Sequence, residues 1–353
     1  MHIALGYHWF PTALGYHWER ALRAGGHQVS YVGLPAPERA GYDQRVPLPA
    51  LLAQLRPAPD LYVWIDPAGP YFPRGIEDLE LPTACYLVDV HLGRWRETAA
   101  CFFDHVFVSQ PGYVARFQQA VGHAAVTWLP FAAALDRHPP AERARDLDIG
   151  FVGNLAVAHR RTARARRLKL LAERFRTNDF YRPYSPATLA EVYNRARIVF
   201  NTSTAGEITM RLFEGAGCGA LLLTDPADGL EQLFDVGREV VVYSDDADLL
   251  AKARHYLEHE AERQAIAAAG RRRTHAEHQY VHRMAQFIAA VRETPPRAPM
   301  RAAAAAERRA ARRVVYTHLH MLDALLDEAR AADQAPLARL WAAAPILLRR
   351  LVR

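Results

Sequence analysis

The chain has 353 residues, half of them hydrophobic, with a formal net charge of +6 and a pI near 9.3. That composition excludes global disorder and supplies enough apolar surface for two α/β domains. The basic excess falls in arginine clusters at 160–167, 271–273 and 308–313, which read as solvated helix faces; without zinc-finger spacing or an RNA-binding aromatic motif, nucleic acid is not an expected partner.

The N-terminus reads as a first strand, not as a signal peptide, and no apolar run reaches the roughly 18 residues of a membrane span. Strands are predicted at His2–Gly6, Gln28–Gly33, Leu61–Ile65, Thr83–Val88, His105–Ser109 and Ala125–Leu129. Several are near-continuously hydrophobic, as parallel strands covered on both faces should be, so residues 1–140 read as a doubly wound sheet. Gly25 and Gly26 suit a helix end feeding the second strand. The hexapeptide Ala-Leu-Gly-Tyr-His-Trp occurs at 4–9 and again at 13–18. The first copy should finish a strand and enter its loop, and the second should lie in a helix. Three cysteines, Cys85, Cys101 and Cys218, lack metal-ligand spacing and read as reduced thiols of a cytoplasmic protein.

Pro130 and the Pro139-Pro140 pair mark a linker, and a second α/β alternation occupies 145–279. It predicts helices at 157–175, 187–195 and 208–217 and strands at 197–201, 219–223 and 239–243, followed by helices to about residue 292. Beyond Pro295, Pro296 and Pro299 lies an Ala/Arg-rich helical tail, 300–353, expected as a hairpin broken at Pro336. Its apolar stripe could pack on the protein or on a second copy. Alternatively, Leu347, Leu348 and Leu351 beside Arg349, Arg350 and Arg353 could form a peripheral membrane anchor.

The stretch from Asn201 to Asp225 carries the most chemistry. A strand ends at Asn201, a small polar loop with Ser203 and Thr204 follows, and a helix is expected to begin near Glu207. Free amides at a helix start, beside such a loop, suit phosphate oxygens. Arg211 could fork onto a diphosphate, and Glu214, at i+3, could accept from both hydroxyls of a ribose. The same two residues are also compatible with a helical surface ion pair.

From Asp148 to about Arg283 the chain resembles the glycosyltransferases of the spore-maturation CgeB type, close to the GT4-like glycosyltransferases of group 1. The matching pieces are Asp148-Ile-Gly-Phe-Val-Gly-Asn154, Arg160/Arg161, Tyr193-Asn194 through Asn201, Met210-Arg-Leu-Phe-Glu214, Gly217 to Thr224 and His278 to Arg283. Looser matches extend through the first half, at Pro59-Asp60, Pro82 to Asp89, Phe103 to Phe107 and Leu129 to Ala132. The resemblance implies an α/β GT-B fold. Two Rossmann-like domains face a cleft, the first completed by a crossing helix at about 280–294, and the C-terminal helical extension stands outside the resemblance. It implies a nucleotide-diphosphate-sugar donor bound mainly by the second domain, with no metal and no other cofactor. Glu214 takes the place of the second glutamate in the family's E-x7-E pattern; the first falls on Gly206, with Glu207 one position off.

Asn154 and Arg161 could hold the donor phosphates, or be a turn residue and part of a solvated face. Asp89 and His91 follow an apolar strand whose end should face the cleft, where either could orient the acceptor or act as base. A helix cap is the plain alternative for that pair. Tyr7, His8 and Trp9 occupy a similar loop, where packing is the simpler role. No Asp-x-Asp triplet or metal-spaced His/Cys cluster falls in the segments expected to form the cleft. The reading is a retaining, metal-independent transfer, with Arg211 and Arg161 on the diphosphate, Glu214 on the ribose, and an acceptor among proteins, polysaccharides or small molecules. Inversion with Asp89 or His91 as base, a sugar-nucleotide epimerase of the same fold, and a non-catalytic sugar-nucleotide-binding scaffold are the alternatives.

Overall fold

The computed structural model describes residues 1–67, 69–134, 144–153, 162–203, 205–293 and 298–331. The chain divides into two compact units, Met1–Leu129 with Met284–Arg353, and Pro130–Arg283. The first boundary falls at Pro130, ahead of the Pro139-Pro140 pair, and the second falls inside a helix.

In the first unit, strands β1 (His2–Gly6), β2 (Gln28–Tyr31), β3 (Leu61–Ile65), β4 (Thr83–Leu87), β5 (His105–Val108) and β6 (Val126–Trp128) form one sheet, in the order β2-β1-β3-β4-β5-β6. Every pair is parallel. The helices are α1 (Leu14–Ala24), α2 (Leu48–Leu52), α3 (Trp95–Ala100) and α4 (Val114–Val121). Strands β1, β3, β4 and β5 are buried at every position, which is why their sequences run apolar without alternation. Helix α1 stops where Gly26 takes a φ of +78°.

The repeated hexapeptide adopts two structures. Its first copy ends β1 and enters the loop, and its second opens α1. The copies meet: a Cβ placed on Gly15 would lie 2.2 Å from Cγ of the Tyr7 ring. Tyr7 is buried, donating to Glu19 Oε2 at 2.9 Å and accepting from Arg39 Nη1 at 3.0 Å, so its ring cannot retreat. Gly15→Ala should therefore cost about 2 kcal/mol of stability by overpacking, outweighing the better helix propensity of alanine. Chemical denaturation would measure it, and an unchanged midpoint would contradict this packing.

In the second unit, the strands are β7 (Leu147–Gly150), β8 (Ala196–Asn201), β9 (Leu221–Thr224) and β10 (Val241–Val242), parallel and in the order β10-β9-β8-β7. Its helices are α5 (Ala163–Ala172), α6 (Pro186–Arg195), α7 (Met210–Gly217), α8 (Leu230–Leu233), α9 (Asp246–Glu258) and α10 (Glu260–Glu277). Ile149, Phe151, Leu168, Phe200, Leu223, Tyr243 and Leu249 close the core.

Helix α11 (Tyr280–Glu293) carries the chain from the second unit into the first, where Phe287 packs on Trp18 and Phe107. The tail then continues as α12 (Pro299–Ala302), α13 (Ala305–His318) and α14 (Leu322–Ala331). Its described part, 298–331, packs into the first unit's core. Met300, Val315, Tyr316 and Leu325 join the same apolar cluster as Trp64, Phe72 and Phe103. The hairpin turns at His320, with φ +57°, between α13 and α14. Pro336, and the anchor proposed around Leu347, lie outside the described residues. Polar staples secure it: buried Asp104 accepts from Ala298 N at 2.9 Å and Arg301 Nη2 at 2.6 Å, and Arg74 pairs with Asp327 at 2.7 Å. Arg312, expected on a solvated face, instead pairs with buried Glu77 and with Glu328. Among the described residues, no helix is long and apolar enough to cross a membrane.

Candidate functional site

The position of the site follows from strand order in the second unit. Strand β7 pairs with β8 on one side, while Ile149 bridges Thr177 on the other. The chain therefore leaves β7 in one direction and returns past it to β8, so the order reverses between these two strands. In open α/β sheets, ligands bind outside the carboxyl ends of the strands at such a reversal. Those ends are Phe151-Val152-Gly153 and Asn201-Thr202.

Arg211 spans both ends. Its Nε donates to the Val152 carbonyl at 3.0 Å, its Nη1 to Asn201 Oδ1 at 2.7 Å, and its guanidinium lies 4.2 Å from the centroid of the Phe151 ring. Gly153 leaves room for the remaining edge, because a Cβ there would stand 2.7 Å from Nη2. Asn201 is fully buried, with its amide committed to Arg211, to Thr209 Oγ1 at 2.9 Å and to Thr224 Oγ1 at 2.9 Å. It positions Arg211 from one layer behind instead of lining the loop.

Thr209, tied to Asn201 by that bond, is extended and stands at the N-cap, so α7 begins at Met210 rather than near Glu207. Glu207 lies in the loop, half-buried, and Arg211 belongs to the first turn of α7. Glu214, one turn later, is buried; burial pushes its carboxyl up to about 7, against the pull of Arg211. Position 206, where the E-x7-E pattern has its first glutamate, has φ +68°, a conformation that suits glycine and strains other side chains.

Two further arginines converge on this loop. From α5, Arg164 Nη2 donates to the Thr202 carbonyl at 3.3 Å and Arg167 Nη1 to Thr202 Oγ1 at 3.1 Å. Asp246 holds Arg167 at 3.0 Å, and its guanidinium lies over the Tyr243 ring at 5.2 Å. Burial and the neighbouring Arg211 pull the Arg164 guanidinium below its usual pKa, the mark of crowded positive charge. Asp225 orders the loop beneath them, accepting from Ser203 N at 3.0 Å, Ser203 Oγ at 3.4 Å and Thr202 Oγ1 at 3.0 Å. Ser203 is thus oriented by Asp225.

The solvated-face reading of 160–167 fails for Arg164 and Arg167. Their spacing of three, following the Thr162 cap that accepts from Ala165 N, places both on one side of α5. That spacing was the available signal. Asn154, Arg161 and Thr204 lie outside the described residues.

In the first unit, Asp89 follows β4, exposed, with φ +48°, at the start of a short 3-10 turn that includes half-buried His91. Tyr7 serves packing, as its buried bonds to Glu19 and Arg39 require. Two Asp-x-Asp triplets do occur, at 146–148 and 246–248, and their carboxylates are occupied by cations. Asp146 pairs with Arg195 at 2.6 Å, Asp148 with Arg197 at 3.7 Å, Asp246 with Arg166 at 2.9 Å and Asp248 with Lys252 at 2.7 Å.

Residues 138–289 match the family model described as glycosyl transferase-like. The structure is similar to that of sucrose-phosphate synthase from Thermosynechococcus elongatus, with a TM-score of 0.58, 15% identity, and coverage of 83% of this chain and 98% of that one. HepE of Anabaena, solved in complex with UDP, gives a TM-score of 0.58 and 12% identity over 83% of this chain and 99% of that one. A glycosyltransferase from Rickettsia africae gives a TM-score of 0.57 and 10% identity over 83% and 98%. No curated protein matches the sequence. At these identities the likeness concerns the fold, which is GT-B, built from two Rossmann-like units.

Proposed function

We propose that this chain is a glycosyltransferase of group 1, as the glycosyl transferase-like match over residues 138–289 supports, and that it moves a sugar from a nucleotide-diphosphate sugar to an acceptor hydroxyl with retention and without a metal. The observation that carries this reading is Arg211 pinned across the ends of β7 and β8, with Arg164 and Arg167 beside it. Three guanidinium groups around one loop suit a diphosphate, whose charge grows as the glycosidic bond breaks. Arg211 binds the diphosphate together with Arg161, while Asn154, Ser203, Thr204 and Glu207 border the donor and Glu214 accepts from its ribose. The bond from the anomeric carbon to the diphosphate oxygen breaks, the acceptor oxygen attacks the same face, and its proton passes to the leaving phosphate. On the acceptor side, Asp89 and His91 orient the hydroxyl; with either as base, the transfer inverts. Within group 1, the run Met210 to Glu214 and the run Gly217 to Thr224 favour the CgeB type. The three cysteines are free, which agrees with a cytoplasmic setting.

HepE was solved with UDP-glucose, which makes uridine nucleotides the first to test in a thermal-shift screen. Incubation with the stabilising nucleotide sugar should release free nucleoside diphosphate slowly without acceptor, and activity should survive EDTA. A scaffold would release none, and an epimerase would return an isomeric nucleotide sugar. Complete loss in EDTA, restored by manganese or magnesium, would falsify the metal-free mechanism.

A further inference from the structure

The second unit carries another concentration of positive charge at the opposite end of its sheet. A cavity of about 830 Å³ opens where Arg145 precedes β7, Arg197 lies near the start of β8 and Gly219 precedes β9, and α10 forms its wall. Because β7, β8 and β9 are parallel, these amino-terminal ends are separated from the Arg211 site by the length of the strands. Arg145, Arg197, Arg263, Arg271 and Arg272 line it, and among the described lining residues Glu260 supplies the one carboxylate.

The five arginines have different obligations. Arg145 is fixed by three backbone carbonyls, those of Tyr193 at 3.1 Å, Ala196 at 2.5 Å and Cys218 at 2.8 Å. These bonds hold the guanidinium in place without neutralising it. Arg263 is buried and paired with Glu260 at 2.5 Å, and Arg197 lies 3.7 Å from Asp148. Arg271 and Arg272 are exposed and have no carboxylate partner among the described residues. The cluster is crowded as well: beyond the effect of burial, Arg263 and Arg271 both push the Arg145 guanidinium below its usual pKa. Gly219, with φ +75°, keeps the floor open, since a Cβ there would stand 3.3 Å from both Arg145 Nη2 and Arg271 Cδ.

We infer that this cavity is a second anion site, separate from the donor site, which takes a small molecule or lipid headgroup carrying two or more phosphate groups. Its volume falls within the range of small-molecule pockets and is too large for one phosphate. Guanidinium groups reach it from the segment before β7, from β8 and from α10, so a tetrahedral oxyanion can accept from more than one direction. Among the described residues, Glu260 and Asp148 offset two of the five arginines, which leaves more positive charge than a singly charged anion balances. Arg271 and Arg272 supply the unsatisfied donors, and Arg145 a rigid one.

The test uses the full chain, inositol hexakisphosphate as the soluble probe, and phosphatidylcholine vesicles with and without a phosphoinositide. Binding should be salt-sensitive and fall by about 10-fold or more in the double variant Arg271→Gln, Arg272→Gln. It should persist in Arg211→Gln, which addresses the donor site alone, so failure at one site does not imply failure at the other. Arg238→Gln with Arg254→Gln removes the same charge elsewhere and should leave binding unchanged. Binding of the soluble probe assigns the site to a free phosphorylated ligand, and binding confined to phosphoinositide vesicles assigns it to a headgroup. The inference is overturned if neither probe binds, if binding is insensitive to the Arg271 and Arg272 changes, or if the matched control weakens it equally.

Discussion

Arg211→Ala should lower kcat/KM for sugar transfer by about 100-fold or more, with most of the loss in kcat. The guanidinium is held before any ligand arrives, by the Val152 carbonyl, by Asn201 Oδ1 and by the Phe151 ring. A donor fixed in advance pays no reorganisation cost as negative charge gathers on the leaving diphosphate, so its removal weighs on the transition state more than on ground-state binding. Arg211→Lys should recover little, because an ammonium cannot make both anchoring bonds and still present a planar edge beside Gly153. Loss of the side chain leaves Asn201 Oδ1 still accepting from Thr209, so the fold should survive. Thermal unfolding run beside the kinetics separates the two effects. Wild-type turnover in a folded Arg211→Ala protein would remove the strongest support for the donor site.

Glu214→Gln should weaken nucleotide binding by about 1.5–3 kcal/mol while stabilising the free protein above neutral pH. The carboxyl is buried and its pKa rises from 4.5 to about 7 on folding. The sign follows from proton linkage. Between these values the folded state holds a proton that the unfolded chain releases, so stability falls as pH rises from about 4.5 to 7. Each pH unit is worth about 1.4 kcal/mol, so the burial costs on the order of 3–4 kcal/mol above pH 7. Glutamine carries no such charge, so the variant should lack this part of the fall in stability between pH 5 and pH 8. Denaturation at pH 5 and pH 8, with nucleotide titration calorimetry at pH 8, checks both halves. If Glu214 only supports Arg211 in an i,i+3 pair, stability should drop by a few tenths of a kcal/mol and affinity should not change.

What could be read from the chain alone followed from periodicity and from local backbone rules. Runs such as Leu61–Ile65 and Thr83–Leu87 are apolar at every position because both faces are covered, and this marked a parallel sheet before any contact was known. Gly25-Gly26 marked the end of α1, and the three-residue spacing of Arg211 and Glu214 set both on one stretch of helix. A helix period, however, reports only that one face is polar. It does not say whether that face meets water or another part of the chain. Arg164, Arg167 and Arg312 therefore resembled solvated residues, although each meets a partner tens or hundreds of residues away.

The local sequence determined which segments could form strands and helices, and it pointed to Asn201 through Asp225 as the candidate site. The tertiary structure decided the rest. It gave one hexapeptide two conformations, drew the tail at 298–331 into the first unit's core, and moved the start of α7 to Met210. It also set Arg211 at the reversal between β7 and β8. The reason is common to all of these. Propensity is worth tenths of a kcal/mol per residue, whereas burying a ring such as Tyr7 or satisfying a buried amide such as Asn201 is worth one to several, about enough to override it. Which ring or amide is buried depends on strand order, and strand order is a property of the whole chain.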